Sequence, residues 1–397
     1  MTALLLAPLY ILVNIYVVRW MLRWMAACHH LFQKKGFRIA FIGIYIFLAT
    51  TLLSGFLIKK PLLLHRILKN IGNYFLGTFL YILLVIIIVD LGRLFFKYVV
   101  KASWVTSKKT FVITGGICTL LILSLSIHGI LNAKNVRTTH YEVTVEKTVE
   151  NMDHLRVVLV ADTHFGYSIG RWHAKNLARL INKANADLVC FAGDIFDNEY
   201  DAMQFPDSIQ KSLQSIQSTY GTYACWGNHD LNEPILAGFT FGGKKEPADY
   251  EDPRMENFLK KAGITLLNDE SILVDDKFYI VGRKDFSRSK KVENGRMTPA
   301  ELTSGLDKEK PILFIDHQPK ELQAVADAGA DLDLCGHTHD GQMFPGNLTV
   351  RLMWENACGY LKKDQMHNIV TSGLGVWGPN MRVGTKSEVC IIDVNFQ

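Results

Sequence analysis

The chain has 397 residues, of which 49% are hydrophobic, and a formal net charge of +5. This length predicts more than one structural unit. A nucleic-acid-binding function is not expected, because that function needs a basic face on a folded domain. Here the basic residues of the first half cluster between apolar runs, and the second half is nearly balanced in charge. The seven cysteines form no Cys-x-x-Cys pair, and those near the motifs below are expected to be small buried thiols.

Apolar residues concentrate before about residue 133. Four runs without a charge stand out there, at about 3–18, 39–58, 74–89 and 111–131. A run of this kind is close to the length that crosses ~30 Å of hydrocarbon at ~1.5 Å per residue. The first run has no basic segment before it and no small-residue cleavage site after it, so it does not resemble a signal peptide. Residues 1–133 are therefore predicted to form a transmembrane region of four helices.

The lysines and arginines beside these runs favour one orientation. Loops one and three carry ten of them, whereas loop two and the segment after the fourth run carry six. Because cytoplasmic loops carry an excess of Lys and Arg, this predicts a multi-pass protein of the cell membrane with both termini outside the cytoplasm. Residues 61–71 could instead form an interfacial amphipathic helix, which would change the number of Lys and Arg residues counted for loop two.

Residues 134–151 are polar and are predicted to be a linker with an entry strand, because Tyr141, Val143 and Val145 alternate with polar residues. Residues 152–397 then repeat an order of apolar strand, polar motif and helical segment. In α/β folds the ligand sites lie at the carboxyl ends of the strands. We therefore expect an α/β domain whose functional residues come directly after its buried strands.

Five motifs follow these strands: Asp-x-His, Gly-Asp, Gly-Asn-His-Asp, a lone His and Gly-His-x-His. Each is weak evidence alone, but all of them supply hard or borderline metal ligands. In Asp-x-His and His-x-His, residues i and i+2 of an extended chain point to the same side and can reach one ion. A carboxylate such as Asp194 has two oxygens and can bridge two ions, and glycines allow a close backbone approach. The motifs begin at Asp162, Gly193, Gly227, His317 and Gly336.

In this motif order, residues 152–397 resemble the calcineurin-like metallophosphoesterase superfamily. The segment Gly373-Leu374-Gly375 followed by Pro379-x-x-Arg382 is similar to the subgroup that includes bacterial membrane-associated UDP-2,3-diacylglucosamine pyrophosphatases. The last motif has Asp340 where the subgroup usually has glycine, which affects substrate fit rather than metal binding. The resemblance implies a four-layer α-β-β-α domain, with two sheets packed face to face.

The resemblance also implies a site for two divalent ions, Mn²⁺, Fe²⁺ or Zn²⁺. One ion would be held by Asp162, His164, Asp194 and His339, and the other by Asp194, Asn228, His317 and His337. His229 would face the substrate as a proton donor or transition-state stabiliser. Asp197 and Asp230 would orient imidazoles or backbone. Arg382 would either contact a substrate phosphate or pair with an acid near the sheet edge.

Together these features predict a membrane-anchored hydrolase of phosphoester or pyrophosphate bonds. A phosphodiesterase that acts on a lipid-linked or nucleotide-linked phosphorylated substrate is the leading hypothesis, with an extracytoplasmic catalytic domain. The fold does not separate monoesterase, diesterase and pyrophosphatase activities. The insert at 231–252 is either a lid over the site or an ordinary surface loop; it carries Ile235, Leu236, Phe239, Phe241, Lys244 and Lys245.

Two other classes of function are weighed against this hypothesis. A catalytically silent scaffold or regulatory module of a membrane complex would be expected to have lost ligands, whereas all the ligand positions are present here. A transporter or channel would be expected to carry polar groups within its spans, and the four apolar runs hold few of them.

Overall fold

The computed structural model describes residues 2–240, 247–291 and 295–397. Phe241, Lys244 and Lys245 of the predicted insert lie outside these residues. The chain forms two compact units. We call residues 1–130 with 378–380 the helical unit and residues 131–377 with 381–397 the sheet unit.

Four long helices account for the predicted transmembrane region, and each is long and apolar enough to cross a membrane. Their bounds are Thr2–Cys28 (α1), Lys35–Leu57 (α2), Leu62–Tyr98 (α3) and Lys108–Lys134 (α4). Short 3₁₀ turns at His30–Gln33 and Ser103–Thr106 connect them. α3 is longer than its apolar run because residues 62–71 belong to the same continuous helix. Residues 62–71 are therefore not a helix separate from the third apolar run.

Small residues and interhelical hydrogen bonds hold the helical unit together. A Cβ added to Gly55 of α2 would lie 3.1 Å from the backbone nitrogen of Lys69 in α3, so glycine permits this close approach. The Tyr45 hydroxyl of α2 donates a 2.8 Å hydrogen bond to Asn14 Oδ1 of α1. The Tyr10 hydroxyl of α1 donates to the Ala49 carbonyl at 2.9 Å. These bonds fix α1 against α2 in surroundings that offer few competing partners.

The sheet unit alternates strands and short helices. Its strands are β1 Val136–Val145, β2 His154–Val160, β3 Leu188–Ala192, β4 Thr222–Cys225, β5 Ile235–Leu236, β6 Phe239–Thr240, β7 Thr265–Leu266, β8 Glu270–Val274, β9 Phe278–Gly282, β10 Ile312–Ile315, β11 Leu332–Cys335, β12 Gly359–Lys363, β13 Met366–Val370 and β14 Ser387–Phe396. Its helices are α5 Arg171–Ala184, α6 Pro206–Gln214, α7 Pro253–Lys261, α8 Pro299–Thr303, α9 Leu322–Asp327 and α10 Gly346–Thr349.

The strands form two sheets, in the orders β1-β14-β2-β3-β4-β7 and β12-β13-β11-β10-β9-β8, and a ribbon of β5 and β6. The inner faces of the two sheets share one core, in which Leu159 of β2 meets residues such as Leu313 of β10. A second core lies on the outer face of the first sheet, where α5 contributes Leu177 and Ile181. A third lies on the outer face of the second sheet, with Leu322 of α9. This arrangement confirms the expected α-β-β-α architecture.

The sequence of the central strands explains their position in the sheets. All five residues of β3 are buried, and β2 is buried from Val157 to Val160. Runs that are apolar on both faces are typical of parallel strands covered on both sides, and β2, β3 and β4 are indeed parallel neighbours. α5 has a single apolar face, and it ends at Asn185, whose φ of 51° stops the helix.

The segment predicted as a linker contributes to the first sheet. β1 pairs in parallel with β14 along its whole length, from Val136 with Ser387 to Val145 with Phe396. The strand therefore begins at Val136, five residues before Tyr141. The alternating pattern in the sequence begins only at Tyr141. α4 ends at Lys134, and only Asn135 separates it from β1.

Candidate metal centre

Every predicted ligand lies directly after the carboxyl end of a strand. Asp162 and His164 follow β2, Asp194 follows β3, and Asn228 follows β4 in the first sheet. His317 follows β10, and His337 and His339 follow β11 in the second sheet. Because these strands are parallel within each sheet, their carboxyl ends lie at the same edge. The packing of the two sheets then brings ligands from distant parts of the chain together.

The first group of ligand atoms comes from Asp162, His164 and His339, which lie within 4.8 Å of one another. The Nε2 atoms of His164 and His339 are 3.1 Å apart. His339 Nε2 is 3.7 Å from a carboxylate oxygen of Asp162. All three side chains are buried. Two imidazole nitrogens and a carboxylate directed at the same point are a suitable donor set for a divalent transition metal.

The second group comes from Asp194, His317 and His337, which also lie within 4.8 Å of one another. His317 Nε2 is 3.1 Å from Asp194 Oδ2 and 3.2 Å from His337 Nδ1. The amide oxygen of Asn228 lies 3.2 Å from the same His317 nitrogen. This group therefore combines two imidazoles, a carboxylate and an amide oxygen.

Asp194 stands between the two groups. Its Oδ2 atom is 3.1 Å from His317 Nε2 in the second group and 3.8 Å from His164 Nε2 in the first group. Its Oδ1 atom accepts a 2.7 Å hydrogen bond from the backbone N–H of His229. A carboxylate in this position can contact two ions at once, which is the bridging role that the resemblance implies.

Several of the ligands have left-handed backbone conformations. Asp162, His164, Asp194, His337 and His339 have φ between 45° and 73°. Residues other than glycine rarely adopt such φ angles. The resulting backbone strain is typical of residues whose position serves function. Gly227 makes room beside them, because an added Cβ at this position would collide with the Asp194 carboxylate.

Buried neighbours fix the orientation of the ligands. His317 Nδ1 donates to the Ala192 carbonyl at 2.8 Å, which leaves Nε2 free to face the site. Asp230 accepts hydrogen bonds from the backbone N–H groups of Gly227 at 2.7 Å and Phe196 at 2.8 Å. Asp197 Oδ1 lies 3.7 Å from His164 Nδ1. The positions of Asp230 and Asp197 are therefore those expected for residues that orient a loop and an imidazole.

His229 has a partner that the sequence motifs did not reveal. Its Nδ1 lies 2.5 Å from Asn198 Oδ1, and its carbonyl accepts a 2.9 Å bond from the Asn198 backbone N–H. Asn198 is fully buried and has a φ of 61°. His229 Nδ1 is thus already bonded, and the side chain lines the cavity described below. Asn198 is the functional residue that the sequence reasoning missed. The one available signal was that Asn198 is a turn-forming residue directly after Gly-Asp-Ile-Phe-Asp.

The side chain of Arg382 is held inside the sheet unit. Its side chain is fully buried and is not part of the cavity wall. The guanidinium donates to the carbonyls of Ser372 at 2.6 Å, Gly375 at 2.8 Å and His339 at 3.1 Å. It also lies 3.2 Å from His339 Nδ1. Because its donors are used inside the protein, Arg382 supports His339 and the loop at 372–375, and a contact between Arg382 and a substrate phosphate stays a prediction.

The protonation equilibria show how strongly these groups interact. Burial raises the pKa of Asp162 to about 6. Burial also opposes ionisation of Asp194, but the positive charge of His317 holds the pKa of Asp194 well below its usual range. In turn, the Asp194 carboxylate raises the pKa of His317 well above its usual value, against the effect of burial. Burial lowers the pKa of His337 and His339 well below the usual value, so both are neutral imidazoles that can act as ligands.

The donor set fits two divalent metal ions. Two carboxylates, four imidazoles and an amide oxygen converge in a largely buried region. Imidazole and carboxylate together suit Mn²⁺, Fe²⁺ or Zn²⁺. A third group of atoms from His164, Asp197 and His229 also lies within 4.8 Å. The Nδ1 atom of His229 is hydrogen-bonded to Asn198, and the His229 side chain lines the cavity described next.

A cavity of about 710 Å³ opens over these residues. Asp194, Asn228, His229, His337 and His339 lie in its wall. The rest of the wall combines the apolar side chains of Phe239, Val350, Met353, Trp354 and Trp377 with glycines and with polar side chains such as Thr240, Ser287 and Gln342. Within the described residues, Lys291 is the one Lys or Arg of the wall. Its ammonium group is 2.5 Å from the Glu233 carboxylate.

The fold and the site define a metallophosphoesterase domain. Residues 155–341 match the family described as calcineurin-like phosphoesterase, and every ligand position from Asp162 to His339 falls within this match. The sheet unit is therefore a calcineurin-like phosphoesterase domain, and it follows four helices that can span a membrane.

Similar proteins include a transmembrane protein, an uncharacterised metallophosphoesterase and a pyrophosphatase. The chain is 28% identical over 276 residues to the "Transmembrane protein with metallophosphoesterase domain" of Danio rerio, covering 67% of this chain and 59% of that protein. It is 27% identical over 243 residues to an "Uncharacterized metallophosphoesterase" of Helicobacter pylori, covering 60% of this chain and 59% of that protein. It is 23% identical over 300 residues to "UDP-2,3-diacylglucosamine pyrophosphatase LpxG" of Chlamydia trachomatis, covering 65% of this chain and 88% of that protein. The match thus spans less than two thirds of the first two relatives.

Proposed function

We propose that this protein is a membrane-anchored, dinuclear-metal hydrolase of phosphoester or pyrophosphate bonds. The observation that carries the proposal is the convergence of two sets of ligand atoms, each within 4.8 Å, under a cavity that His229 also lines. Family membership of the domain alone would not predict hydrolysis, because folds of this kind host more than one function. A hydrolase needs an intact ligand set beside an open cavity, whereas a scaffold does not need either.

In this proposal Asp194 would belong to the ligand sets of both ions. Asp162, His164 and His339 complete the first set, and Asn228, His317 and His337 complete the second. A pair of divalent ions at such a site activates water and neutralises the charge that develops on a phosphoryl group. The protein itself holds the imidazoles at fixed positions through Ala192, Asp197 and Arg382, so that the ligands need little rearrangement on binding.

His229 would stabilise the phosphoryl group during hydrolysis. Burial lowers the pKa of His229 to about 4, so its imidazole is neutral near pH 7 in the free protein. With Nδ1 bonded to Asn198, the unprotonated Nε2 is the atom left to act. A bound phosphoryl group is negatively charged and raises the pKa of a neighbouring imidazole. Substrate binding would therefore favour protonation at Nε2 and prepare His229 to donate to the leaving oxygen.

A lipid-linked or nucleotide-linked substrate fits the cavity wall. Next to the cavity, Leu348, Leu352 and Met353 are 56%, 87% and 77% exposed. A cluster of exposed large apolar side chains is unusual on a soluble surface and is typical of sites that meet lipid or protein. Trp354 and Trp377 add aromatic faces, which suit an acyl chain or a nucleobase. The name of the Chlamydia trachomatis relative specifies a nucleotide-linked, diacylated glucosamine, which combines both chemistries.

The insert at 231–252 supplies part of this wall and is proposed as a lid. Phe239 is 59% exposed and packs edge-on against Trp377, with ring centroids 4.9 Å apart. Gly238 and Thr240 line the cavity beside it, whereas Leu231 and Ile235 are buried and anchor the segment. Phe239→Ser, compared with exposed Phe205→Ser, would leave hydrolysis of a small soluble diester unchanged and slow hydrolysis of acylated substrates. If Phe239→Ser hydrolysed both classes of substrate as fast as the wild-type protein does, the segment would not act as a lid.

The decisive experiment is hydrolysis of bis-p-nitrophenyl phosphate by the full-length protein in detergent, with and without added Mn²⁺, Fe²⁺ or Zn²⁺. His229→Ala and Asp194→Asn are compared with His154→Ala and Asp201→Asn, which change exposed residues of the same types. We expect metal-dependent turnover that both site variants lose and both controls keep. No turnover from a folded protein with bound metal, on this diester and on nucleotide-linked lipids, would favour a catalytically silent scaffold or regulatory module.

We further propose that the phosphoesterase domain lies outside the cytoplasm. The support is the excess of Lys and Arg in loops one and three. Single cysteines introduced near Lys101 and Lys290, in a variant without its exposed cysteine, would be tested for labelling by a reagent that does not cross membranes. Labelling near Lys290 alone is the expected result, and labelling near Lys101 alone would reverse the orientation.

A further inference from the structure

The helical unit contains a cavity that the phosphoesterase chemistry does not use. It lies between α1, α3 and the beginning of α4 and has a volume of about 610 Å³. Arg19 and Arg23 of α1, Arg93 of α3 and Lys108 of α4 all belong to its wall. Arg19 and Arg23 are four residues apart, so they lie on the same face of α1. Four cations from three helices therefore surround one space.

In the part of the chain that the structure describes, these cations have no acidic partner at ion-pair distance. Asp90 is the only Asp or Glu among residues 1–141. Its carboxylate accepts a 2.7 Å hydrogen bond from the Tyr16 hydroxyl and a 3.4 Å hydrogen bond from Trp20 Nε1. Within the described residues, no carboxylate lies at ion-pair distance from any of the four cations. Four positive charges and one negative charge leave this cavity with a net charge of +3, and anions would be attracted to it.

An apolar cavity adjoins the cationic one. Its volume is about 240 Å³, and it shares Trp20, Asp90, Arg93, Val105 and Phe111 with the first cavity. Its remaining wall includes Val89, Phe96 and Trp104, which offer no charge. The two cavities together thus present positive charge at one end and aromatic surface at the other. An amphipathic anion matches both ends, whereas a small soluble anion matches only one.

We propose that this paired cavity binds an anionic phospholipid, with the lipid phosphate among the four cations and an acyl chain against the aromatic residues. Basic pockets between transmembrane helices are suited to phosphate headgroups, and each Lys or Arg near a membrane surface contributes to the attraction. Arginine adds geometry as well as charge, since its planar fork binds phosphate oxygens through two hydrogen bonds. The site would anchor a structural lipid at the side of α1 and α3.

The positive-inside rule does not by itself explain this arrangement. That rule needs Lys and Arg on one side of the membrane, wherever their side chains point. Lys35, Arg38 and Lys101 belong to the same two loop regions and meet the rule equally well, yet they are not part of the cavity wall. These three residues provide a control set with the same number of charges and the same predicted side.

The test is lipid retention by the full-length protein, measured by native mass spectrometry after titration with dioleoylphosphatidylglycerol or dioleoylphosphatidylcholine. The cavity variant is R19Q/R23Q/R93Q, and the control is K35Q/R38Q/K101Q. We expect the wild-type protein to retain the anionic lipid about tenfold more tightly than the zwitterionic one. The cavity variant should lose about tenfold in affinity for the anionic lipid, and the control should stay within about twofold of wild type.

Equal losses in the two triple variants would overturn the proposal, because they would show diffuse attraction to a basic surface. Displacement of the lipid by inorganic phosphate at similar concentration would also overturn it, since the ligand would then be a soluble anion. If the triple variant does not fold, Arg23→Gln alone is compared with Arg38→Gln. A loss of about threefold or more in the first variant only supports the site, and equal retention excludes it.

Discussion

In the sheet unit, the carboxylates of Asp162 and Asp194 are buried, and imidazoles and backbone N–H groups surround them. In the helical unit, the one carboxylate, Asp90, accepts a hydrogen bond from Tyr16 of α1, and the four cations of the cavity described above are exposed. Burial of charge is costly unless partners or metals compensate it. The sheet unit therefore needs a dense set of specific partners, whereas the helical unit can leave its charges at the boundary.

The difference predicts that added volume is far more harmful beside a buried carboxylate of the sheet unit than on an open face of a helix in the helical unit. Gly227→Ala would drive a methyl group into the Asp194 carboxylate, whereas a Cβ at Gly116 of α4 meets no atom within 4 Å. We expect Gly227→Ala to lower metal-dependent hydrolysis by about 100-fold or more. Gly116→Ala should stay within about twofold of wild type. Metal content and turnover of both variants check this, and a fully active Gly227→Ala would contradict the described geometry.

The second prediction concerns the residue behind His229. Asn198→Ala removes the acceptor that holds His229 Nδ1, so we expect turnover to fall by about 10- to 100-fold. The bound metal should be unchanged, because Asn198 belongs to neither ligand group. Asn176→Ala, on the surface of α5, is the matched control. Loss of metal from the Asn198 variant, measured by elemental analysis, would show that Asn198 supports the metals rather than His229.

The third prediction concerns pH. Burial opposes protonation of His317, but Asp194 raises its pKa well above the usual value, so the metal-free site holds this proton near neutral pH. A metal that binds Nε2 must displace it. The apparent metal affinity should therefore fall as the pH is lowered, by about tenfold per pH unit for each proton released. Competition with a fluorescent chelator at pH 6, 7 and 8 measures this, and a flat profile would mean that His317 is already neutral.

The smallest expected effect is on stability. Burial raises the pKa of Asp333 in β11 to about 7, and repulsion from Asp316 adds to the shift. Because the pKa is higher in the folded state than the value of ~3.9 in the unfolded chain, protonation stabilises the fold. The stabilisation of the folded state by protonated Asp333 is fully present below about pH 4 and is lost as the pH rises towards 7. Asp333→Asn should raise the melting temperature at pH 8 by about 2–4 °C and change it little at pH 4.

The control is Asp276→Asn, which changes an exposed carboxylate. Its effect on the melting temperature should be the same at both pH values. If both variants changed the melting temperature in the same way, the effect would not come from the buried Asp333 carboxylate.

Much of the architecture could be predicted because its signals are local in sequence. The four apolar runs indicated the membrane helices, and the motifs at strand ends indicated an α/β domain with a metal-binding edge. The ends of these elements were less predictable. α3 continues through residues 62–71, and β1 begins at Val136 rather than near Tyr141. Both extensions depend on packing and pairing with distant segments, which a local pattern does not contain.

The sequence by itself determined which residues can bind metal, from Asp162 to His339, since ligand chemistry and the i, i+2 spacing are properties of a short segment. Only the tertiary structure decided what each remaining polar residue does. Arg382, far along the chain, is buried against backbone carbonyls, and Asn198 is bonded to His229. The same holds for the cavity among Arg19, Arg23, Arg93 and Lys108. Hydrogen bonds and cavities join residues that are distant in sequence, and the packing of helices and sheets is what brings them together.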